Sequence, residues 1–232
     1  MPRLPKKQAI LVVGTGRSGT SVMTGTLQLL GACLGEELKR GDAWNPKGYF
    51  ENTQITDLNK RALSEVGMSW YDSSLEIVRP VPMTSTLSMS IRNRVSAIFG
   101  ERSPIAIKDP RLCVLLDAYV STLREMGYET HCVRMLRDPI EVASSLTAVA
   151  GGSVPHWLPK VVLHAELLDA ALKRTAVDCI DCSFTDLVAC TKGTISALME
   201  RLPFLACTAE RMNEISGFID GSLKHYVRAE SA

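Results

Sequence analysis

The sequence lacks an excess of either charge. Its 232 residues include 26 lysines and arginines and 25 aspartates and glutamates, which gives a formal net charge of +1. Balanced charge provides no general electrostatic reason to bind nucleic acid or an anionic membrane surface, so we expect no nucleic-acid partner. A chain of this length can bury a full core, and we expect residues 1–232 to form a single domain.

Long apolar runs are also missing. No stretch approaches the roughly 20 consecutive apolar residues that a membrane-spanning helix needs. The first residues, "MPRLPKKQ", lead directly into an apolar strand, without the apolar region and cleavage site of a secretory signal. We therefore expect no transmembrane segment and a cytoplasmic location.

The cysteines do not form an obvious framework. There are seven, an odd number, and without an export signal we expect reduced thiols. Cys179 and Cys182 form a C-x-x-C pattern inside the expected strand "AVDCIDCS", where residues three apart lie on opposite faces. No second Cys/His pair stands at ligand spacing, so the pattern predicts neither a redox site nor a zinc site.

Strand, loop and helix patterns alternate along the chain. Short apolar runs predict strands, and apolar residues at helical spacing predict the segments between them. This alternation predicts an α/β fold of the P-loop type, with three αβα layers and a mostly parallel central sheet. The expected strands cover residues 8–14, 103–110, 129–139 and 176–183, and the expected helices cover 18–30, 52–67, about 86–99, 112–127, 139–151 and about 157–173, followed by C-terminal helices.

Three of the expected strands end in polar clusters, "GTGRSGTS", "KDPR" and "RDP". In parallel α/β sheets, ligands bind beyond the carboxyl ends of the strands. We therefore expect these three clusters to converge on one site.

The first cluster, within "LVVGTGRSGTS", fits two phosphate-binding patterns. Gly14, Gly16 and Gly19 spell the dinucleotide pattern G-x-G-x-x-G, while the spacing from Gly14 to Gly19 is that of a P-loop. However, Thr20 occupies the place of the P-loop lysine, and the cation nearest to it is Arg17, inside the loop. The loop alone therefore does not identify its ligand.

Each pattern has a weakness. A dinucleotide site needs a second strand that ends in an acidic residue about 20 residues further on, but Glu36 and Glu37 follow a helix end instead. A P-loop kinase that uses ATP and magnesium normally has the lysine and an acidic strand end, for which Asp181 and Asp109 are the best candidates. A small-molecule kinase remains the alternative interpretation.

The loop resembles the 5′-phosphosulfate loop of sulfotransferases that use 3′-phosphoadenosine-5′-phosphosulfate (PAPS). That loop runs [K/R]-x-G-[T/S]-[T/S] after a strand, and "GRSGTS" matches it from Arg17 to Ser21. The second signature of the family, an arginine at a strand end followed by a proline and a serine, matches Arg137, Pro139 and Ser145 of "RDPIEVASS". "NPKGYFEN" and "KDPRLC" are similar to segments of bacterial members, so the resemblance covers roughly residues 8–150.

The resemblance implies an enzyme that moves a sulfuryl group from PAPS to a hydroxyl or amine by direct in-line transfer. Because a sulfuryl group carries less negative charge than a phosphoryl group, placed N–H groups and cations can suffice, and we expect no metal requirement. Arg17 would also neutralise the leaving phosphate. By this resemblance the donor contacts are Gly16, Arg17, Ser18, Gly19, Thr20 and Ser21 for the phosphosulfate, and Arg137 and Ser145 for the 3′-phosphate.

The sequence differs from the cytosolic members of the family at the position of their catalytic base. Cytosolic members of the family carry a histidine two residues after a strand-end lysine, but Lys108 is followed by Asp109 and a proline. Members that act on glycans use a glutamate after the first helix instead. This makes Glu51 the first choice of base and Asp109 the second, while Lys108 would stabilise the sulfuryl or leaving group and Arg111 would orient the acceptor.

The acceptor is left open as a small molecule, a glycan or a lipid headgroup, as is the oligomeric state. We expect residues 36–50 and 68–82 to shape its site, with aromatic walls from Trp44, Tyr49, Trp70 and Tyr71, and we regard His156 as a further candidate. Val22 stands where many members of the family have an aromatic residue that stacks on adenine. Lys224 and Arg228 are candidates for additional phosphate contacts.

Overall fold

The computed structural model of the chain describes residues 6–69 and 78–219. Strands and helices alternate through these ranges as the apolar patterns predict. The strands are β1 (Lys7–Val13), β2 (Ile105–Lys108), β3 (Tyr128–Leu136) and β4 (Asp178–Ser183). The helices are α1 (Thr20–Leu29), α2 (Thr53–Glu65), α3 (Ser85–Phe99), α4 (Leu112–Glu125), α5 (Pro139–Ala150), α6 (Val154–Thr175), α7 (Phe184–Ala189), α8 (Thr191–Arg201) and α9 (Ala209–Phe218).

The four strands form one parallel sheet in the order β2-β1-β3-β4. β1 lies inside the sheet, where Leu11 is aligned with Ile107 of β2 and with Cys132 of β3. Because all four strands run in the same direction, the residues that follow them lie at one edge. The expected parallel sheet is therefore confirmed.

Both faces of the sheet are covered by helices. Along β1, alternate side chains enter different cores: Leu11 packs with α2, α3, α4 and α6, whereas Ile10 and Val12 pack with α1, α7, α8 and α9. A fully buried strand covered on both sides is the arrangement expected of parallel sheets. The three-layer α/β class predicted from the sequence is confirmed.

The ends of several helices depend on single residues. α5 begins at Pro139, as predicted, and the Asp138 side chain before it accepts hydrogen bonds from two amides of the first turn. α1 begins at Thr20, two residues later than expected, because Gly19 has φ 99° and cannot belong to the helix. α6 begins at Val154, three residues earlier than expected, with a proline in its first turn.

The C-x-x-C pattern is part of the core. Cys179 packs against the core that contains Leu11, and Cys182 packs within the core that contains Ile10, so the two side chains lie on opposite faces of β4. Burial raises the pKa of both thiols to about 11. Neither thiol is therefore activated as a nucleophile.

None of the helices in residues 6–69 and 78–219 combines the length and the apolar character that crossing a bilayer requires. The expectation that residues 1–232 form one domain stays a prediction.

The packing of α3 gives a test of the fold. Ile91 is completely buried, so Ile91→Ala removes apolar surface and leaves a cavity, and we expect it to lower the free energy of unfolding by about 2–5 kcal/mol. Met89 lies on the same helix but is 58% exposed, so Met89→Ala should change this free energy by less than about 0.5 kcal/mol. Urea denaturation of both variants measures the difference, and equal effects would contradict the position of α3.

Candidate functional site

A cleft lies at the carboxyl edge of the sheet, where the polar clusters converge. Its walls come from the β1–α1 loop, from the ends of β2 and β3, from the segment before α2, from α5 and α6, and from the start of α7. The residues predicted for the site that line the cleft are Gly16, Arg17, Gly19, Thr20, Ser21, Glu51, Lys108, Arg111 and Arg137. The topology thus brings together residues that are up to 121 positions apart in the sequence, from Gly16 to Arg137.

The β1–α1 loop has a backbone that favours anion binding. Arg17 has φ 71°, which is rare for a residue with a side chain, and Gly19 has φ 99°. The Ser18 hydroxyl donates to the Thr15 carbonyl oxygen at 2.7 Å, so this buried side chain closes the loop from within. Left-handed residues and a helix N-terminus orient amides towards one point, as in known phosphate sites.

Two glycines of this loop are fixed by close neighbours. A Cβ atom on Gly14 would lie 2.9 Å from the carbonyl oxygen of Met135, and a Cβ atom on Gly19 would lie 2.4 Å from the ring of Phe184. Both glycines also have positive φ angles. Their identity is therefore required by the packing of the loop against β3 and α7.

Arg17 connects the loop to two other walls of the cleft. Its Nε donates to the hydroxyl oxygen of Ser145 at 3.0 Å, and one of its terminal nitrogens donates to the Trp44 carbonyl oxygen at 3.3 Å. Ser145, the serine of the second signature, is buried on α5. The two segments that the sequence predicts to bind different phosphates are thus in direct contact.

Arg137 is held in place on three sides. Its Nε donates to the Glu141 carboxylate at 2.9 Å, and its Nη1 donates to the carbonyl oxygen of Arg17 at 3.2 Å. Its guanidinium carbon lies 4.7 Å from the ring centre of Phe184, a cation–π contact. Phe184 was not predicted for the site, although its position directly after the β4 strand was the available signal.

Lys108 and Glu51 form a buried ion pair in the wall of the cleft. The Lys108 ammonium donates to the Glu51 carboxylate at 2.6 Å, and the two side chains are 4% and 6% exposed. The same ammonium donates to the Ser21 hydroxyl and to the Tyr49 carbonyl oxygen, both at 3.3 Å. A lysine from β2 therefore reaches the phosphate-type loop in which Thr20 has replaced the usual lysine.

Asp109, the second candidate for the base, is enclosed beneath the site. Both of its carboxylate oxygens accept from the Arg111 guanidinium, at 2.9 and 3.1 Å, and one of them also accepts from the Arg111 amide. Burial raises the pKa of Asp109, and the charge of Arg111 opposes this shift. Arg111 and Glu51 line the cleft, whereas Asp109 does not line it and is paired with Arg111.

The segment from Lys39 to Tyr49 closes one side of the cleft. The Tyr49 hydroxyl donates to Asp42 at 2.7 Å, and burial together with this bond raises the pKa of Tyr49 to about 12. The Asn45 side chain donates to the Ser21 hydroxyl at 3.3 Å. Trp44 and Tyr49 line the cleft, and so do Lys39 and Asn45, which belong to the expected segment 36–50 but were not singled out within it.

The second expected wall, residues 68–82, contributes less in the part that the structure describes. Met68 and Val81 are buried in the core, and none of the described residues of this segment lines the cleft. Trp70 and Tyr71 lie outside the described residues, as do Lys224 and Arg228.

Helices α5 and α6 supply a wall of the cleft that the sequence patterns did not predict. Lys160 and His164 line the cleft from α6 and are buried, whereas the candidate His156 is exposed and does not line it. The signal was the spacing: Trp157, Lys160 and His164 recur at intervals of three and four residues, on one side of the helix. Burial, with a smaller effect of the Lys160 charge, lowers the pKa of His164 to about 4.

The chain resembles known proteins in its fold rather than in its sequence. No protein-family profile and no curated protein sequence matches the chain. Among solved structures, the sulfotransferase STF1 from Mycobacterium tuberculosis H37Rv is similar, with a TM-score of 0.53 and 17% sequence identity over 91% of this chain and 71% of STF1. The chain has the fold of a bacterial sulfotransferase.

Two further sulfotransferase structures were found at lower similarity. The sulfotransferase domain from the curacin biosynthetic pathway has a TM-score of 0.48 at 14% identity, over 90% of this chain and 77% of that domain. The sulfotransferase domain of the Synechococcus PCC 7002 olefin synthase has a TM-score of 0.49 at 12% identity, over 99% of this chain and 92% of that domain. In this sulfotransferase fold, the cleft lies where parallel α/β sheets bind their ligands.

The buried His164 predicts a pH dependence of stability. The folded-state pKa of about 4 lies below the value of about 6.5 that is usual for an unfolded chain. As the pH falls below about 6.5, the unfolded chain takes up the proton first, so stability is complete above that pH and is lost towards pH 4. Between about pH 7 and 4.5 we expect this to remove about 2–3 kcal/mol from the free energy of unfolding.

The variant His164→Gln should lack this contribution, so its free energy of unfolding should fall less over the same pH interval. His156→Gln, on the exposed side of the same helix, is the matched control and should behave as the unmodified protein does. Urea denaturation at the two pH values measures the effect. An equal loss in the protein and in His164→Gln would contradict the buried neutral state of His164.

Proposed function

We propose that this protein is a sulfotransferase that uses PAPS as its donor and transfers the sulfuryl group to a hydroxyl or amine. One observation carries the proposal. The Lys108 ammonium contacts the Glu51 carboxylate at 2.6 Å and, at 3.3 Å, the Ser21 hydroxyl in the first turn of α1, directly after the loop. A carboxylate that can accept a proton and a loop suited to an anionic donor are thereby joined through one cation.

The donor is an anion with two separate charged groups, and the cleft has two cationic positions to match. The loop amides around Gly16 and Gly19, together with Arg17, suit the 5′-phosphosulfate. Arg137, a rigid fork held at a strand end, suits the terminal 3′-phosphate. The Arg17 side chain donates to Ser145, and the Arg17 carbonyl oxygen accepts from Arg137. These contacts support the proposal that the phosphosulfate and the 3′-phosphate belong to one ligand.

The reaction is a direct displacement. Glu51 accepts the proton from the acceptor hydroxyl, and the acceptor oxygen forms a bond to sulfur. The bond from sulfur to the bridging oxygen breaks, and its electron pair stays on the 5′-phosphate of adenosine 3′,5′-bisphosphate. Arg17, which belongs to the loop, and Lys108, which contacts Ser21 just after it, supply positive charge for that phosphate. Arg111 lines the same cleft, and its proposed role is to orient the acceptor.

These cations also bear on the metal requirement. The sulfuryl group carries less charge than a phosphoryl group, so fixed guanidinium and ammonium groups can stabilise its transfer. We therefore expect activity in the presence of a chelator.

Ligand binding tests the donor. Adenosine 3′,5′-bisphosphate without magnesium should raise the melting temperature, because a ligand at about 100 times its Kd adds about 2.7 kcal/mol to the stability of the native state. Arg137→Ala should weaken this binding by about 2–3 kcal/mol, as for the loss of a charged hydrogen bond. Arg134→Ala is the matched control, since Arg134 lies on β3 three residues before Arg137 but pairs with Asp169 and Asp181.

Thermal unfolding and titration calorimetry measure both effects. If ATP with magnesium stabilises the protein and the bisphosphate does not, the sulfotransferase proposal is wrong and the small-molecule kinase takes its place.

Turnover tests the base. Glu51→Gln keeps the size of the side chain but cannot accept the proton, so we expect turnover to fall by at least about 100-fold. Binding of adenosine 3′,5′-bisphosphate should stay near normal, because Glu51 contacts Lys108 rather than the loop. The measurement is transfer from labelled PAPS, and Glu36→Gln, an exposed glutamate, is the control. Normal turnover in Glu51→Gln would transfer the role of base to Asp109.

A further inference from the structure

The part of the cleft that α5 and α6 line differs chemically from the rest. Leu146, Val149 and Ala150 line it from α5, and Trp157 and Val161 line it from α6. Their spacings of three and four residues place each set on one face of its helix. We call these five residues the α5–α6 wall.

The α5–α6 wall is backed by its own small core. Val142, Ala143 and Val161 are at most 4% exposed and pack between the two helices. The Trp157 indole N–H donates to the Gly151 carbonyl oxygen at 2.7 Å, so this polar group is already bonded within the protein. The wall therefore presents a firm apolar surface.

Polar side chains are unevenly distributed around the cleft. Among the residues that line it within the described ranges, most of the neutral hydrogen-bonding side chains belong to residues 15–21 and to residues 44–49. On α5 and α6, only Lys160 and His164 add polar groups to the apolar wall. A ligand with many hydroxyl groups would lose hydrogen bonds to water here without replacing them, which is costly.

The α5–α6 wall and Glu51 line the same cleft. Ser145, the residue before Leu146, accepts a hydrogen bond from Arg17 at 3.0 Å, so α5 contacts the donor loop where the wall begins. Pro110 and Arg111 line the cleft after the strand that ends in Lys108. An acceptor can thus lie against the wall and still reach Glu51.

We infer that the acceptor is an alcohol with an apolar body, aliphatic or aromatic, which lies against the α5–α6 wall while its hydroxyl faces Glu51. This inference rests on the proposed function and defines its substrate class. Burial of the apolar body supplies the affinity, and the base selects the hydroxyl.

A series of straight-chain primary alcohols tests the inference. With labelled PAPS as donor, the unmodified protein should sulfate alcohols from four to eight carbons, and KM should fall about threefold to fourfold for each added methylene. A monosaccharide and a disaccharide serve as polar acceptors, and we expect little transfer to them. Preferred transfer to the sugars, or a KM that does not change with chain length, would overturn the inference.

Two substitutions on α5 test whether the α5–α6 wall is responsible for the preference for long alcohols. Val149→Ser should lower kcat/KM for the eight-carbon alcohol about fivefold or more, because it makes the wall polar. Ile140→Ser, on the same helix but 42% exposed and outside the cleft, should leave it unchanged. Equal effects of the two substitutions would overturn the inference.

Binding of adenosine 3′,5′-bisphosphate separates this inference from the proposed function. If the bisphosphate binds and no alcohol of the series is sulfated, the acceptor class is wrong and the donor site stands. If the bisphosphate fails to bind, the proposed function fails and the acceptor class fails with it.

Discussion

The buried ion pair between Lys108 and Glu51 is the interaction on which the site depends. Burying one of these charges without the other would cost several kcal/mol, so the strand end and the segment before α2 are held together. The third contact of Lys108, with Ser21, fixes both to the start of α1. One ammonium group thereby sets the distance between the candidate base and the phosphate-type loop.

Contacts with neighbouring segments also hold the strained backbone of the β1–α1 loop. Arg17 adopts a left-handed conformation that costs energy for a residue with a side chain, and such strain persists where surrounding contacts impose it. Here the contacts are bonds from the Arg17 side chain to Ser145 and Trp44, and from Arg137 to its carbonyl oxygen. These contacts therefore maintain the shape of the loop, at the expense of local stability.

Much of the fold could be predicted because its signals are local. Short apolar runs give the strands, and a proline such as Pro139 or a glycine such as Gly31 marks a helix end. The motifs also identified Arg17, Glu51, Lys108 and Arg137, which line the cleft together. The wall from α5 and α6 could not be predicted in this way, because apolar residues that line a cleft have the same spacing as residues that fill a core.

The sequence by itself determined the alternation of strands and helices, the parallel sheet and the loop with its displaced cation, since each follows from neighbouring residues. Only the tertiary structure decided which charges meet. It paired Glu51 with Lys108 and enclosed Asp109 with Arg111, and it set Phe184 against Arg137. Residues tens of positions apart become neighbours only when parallel strands place their carboxyl ends at one edge. A local sequence pattern does not show which of these distant residues will come into contact.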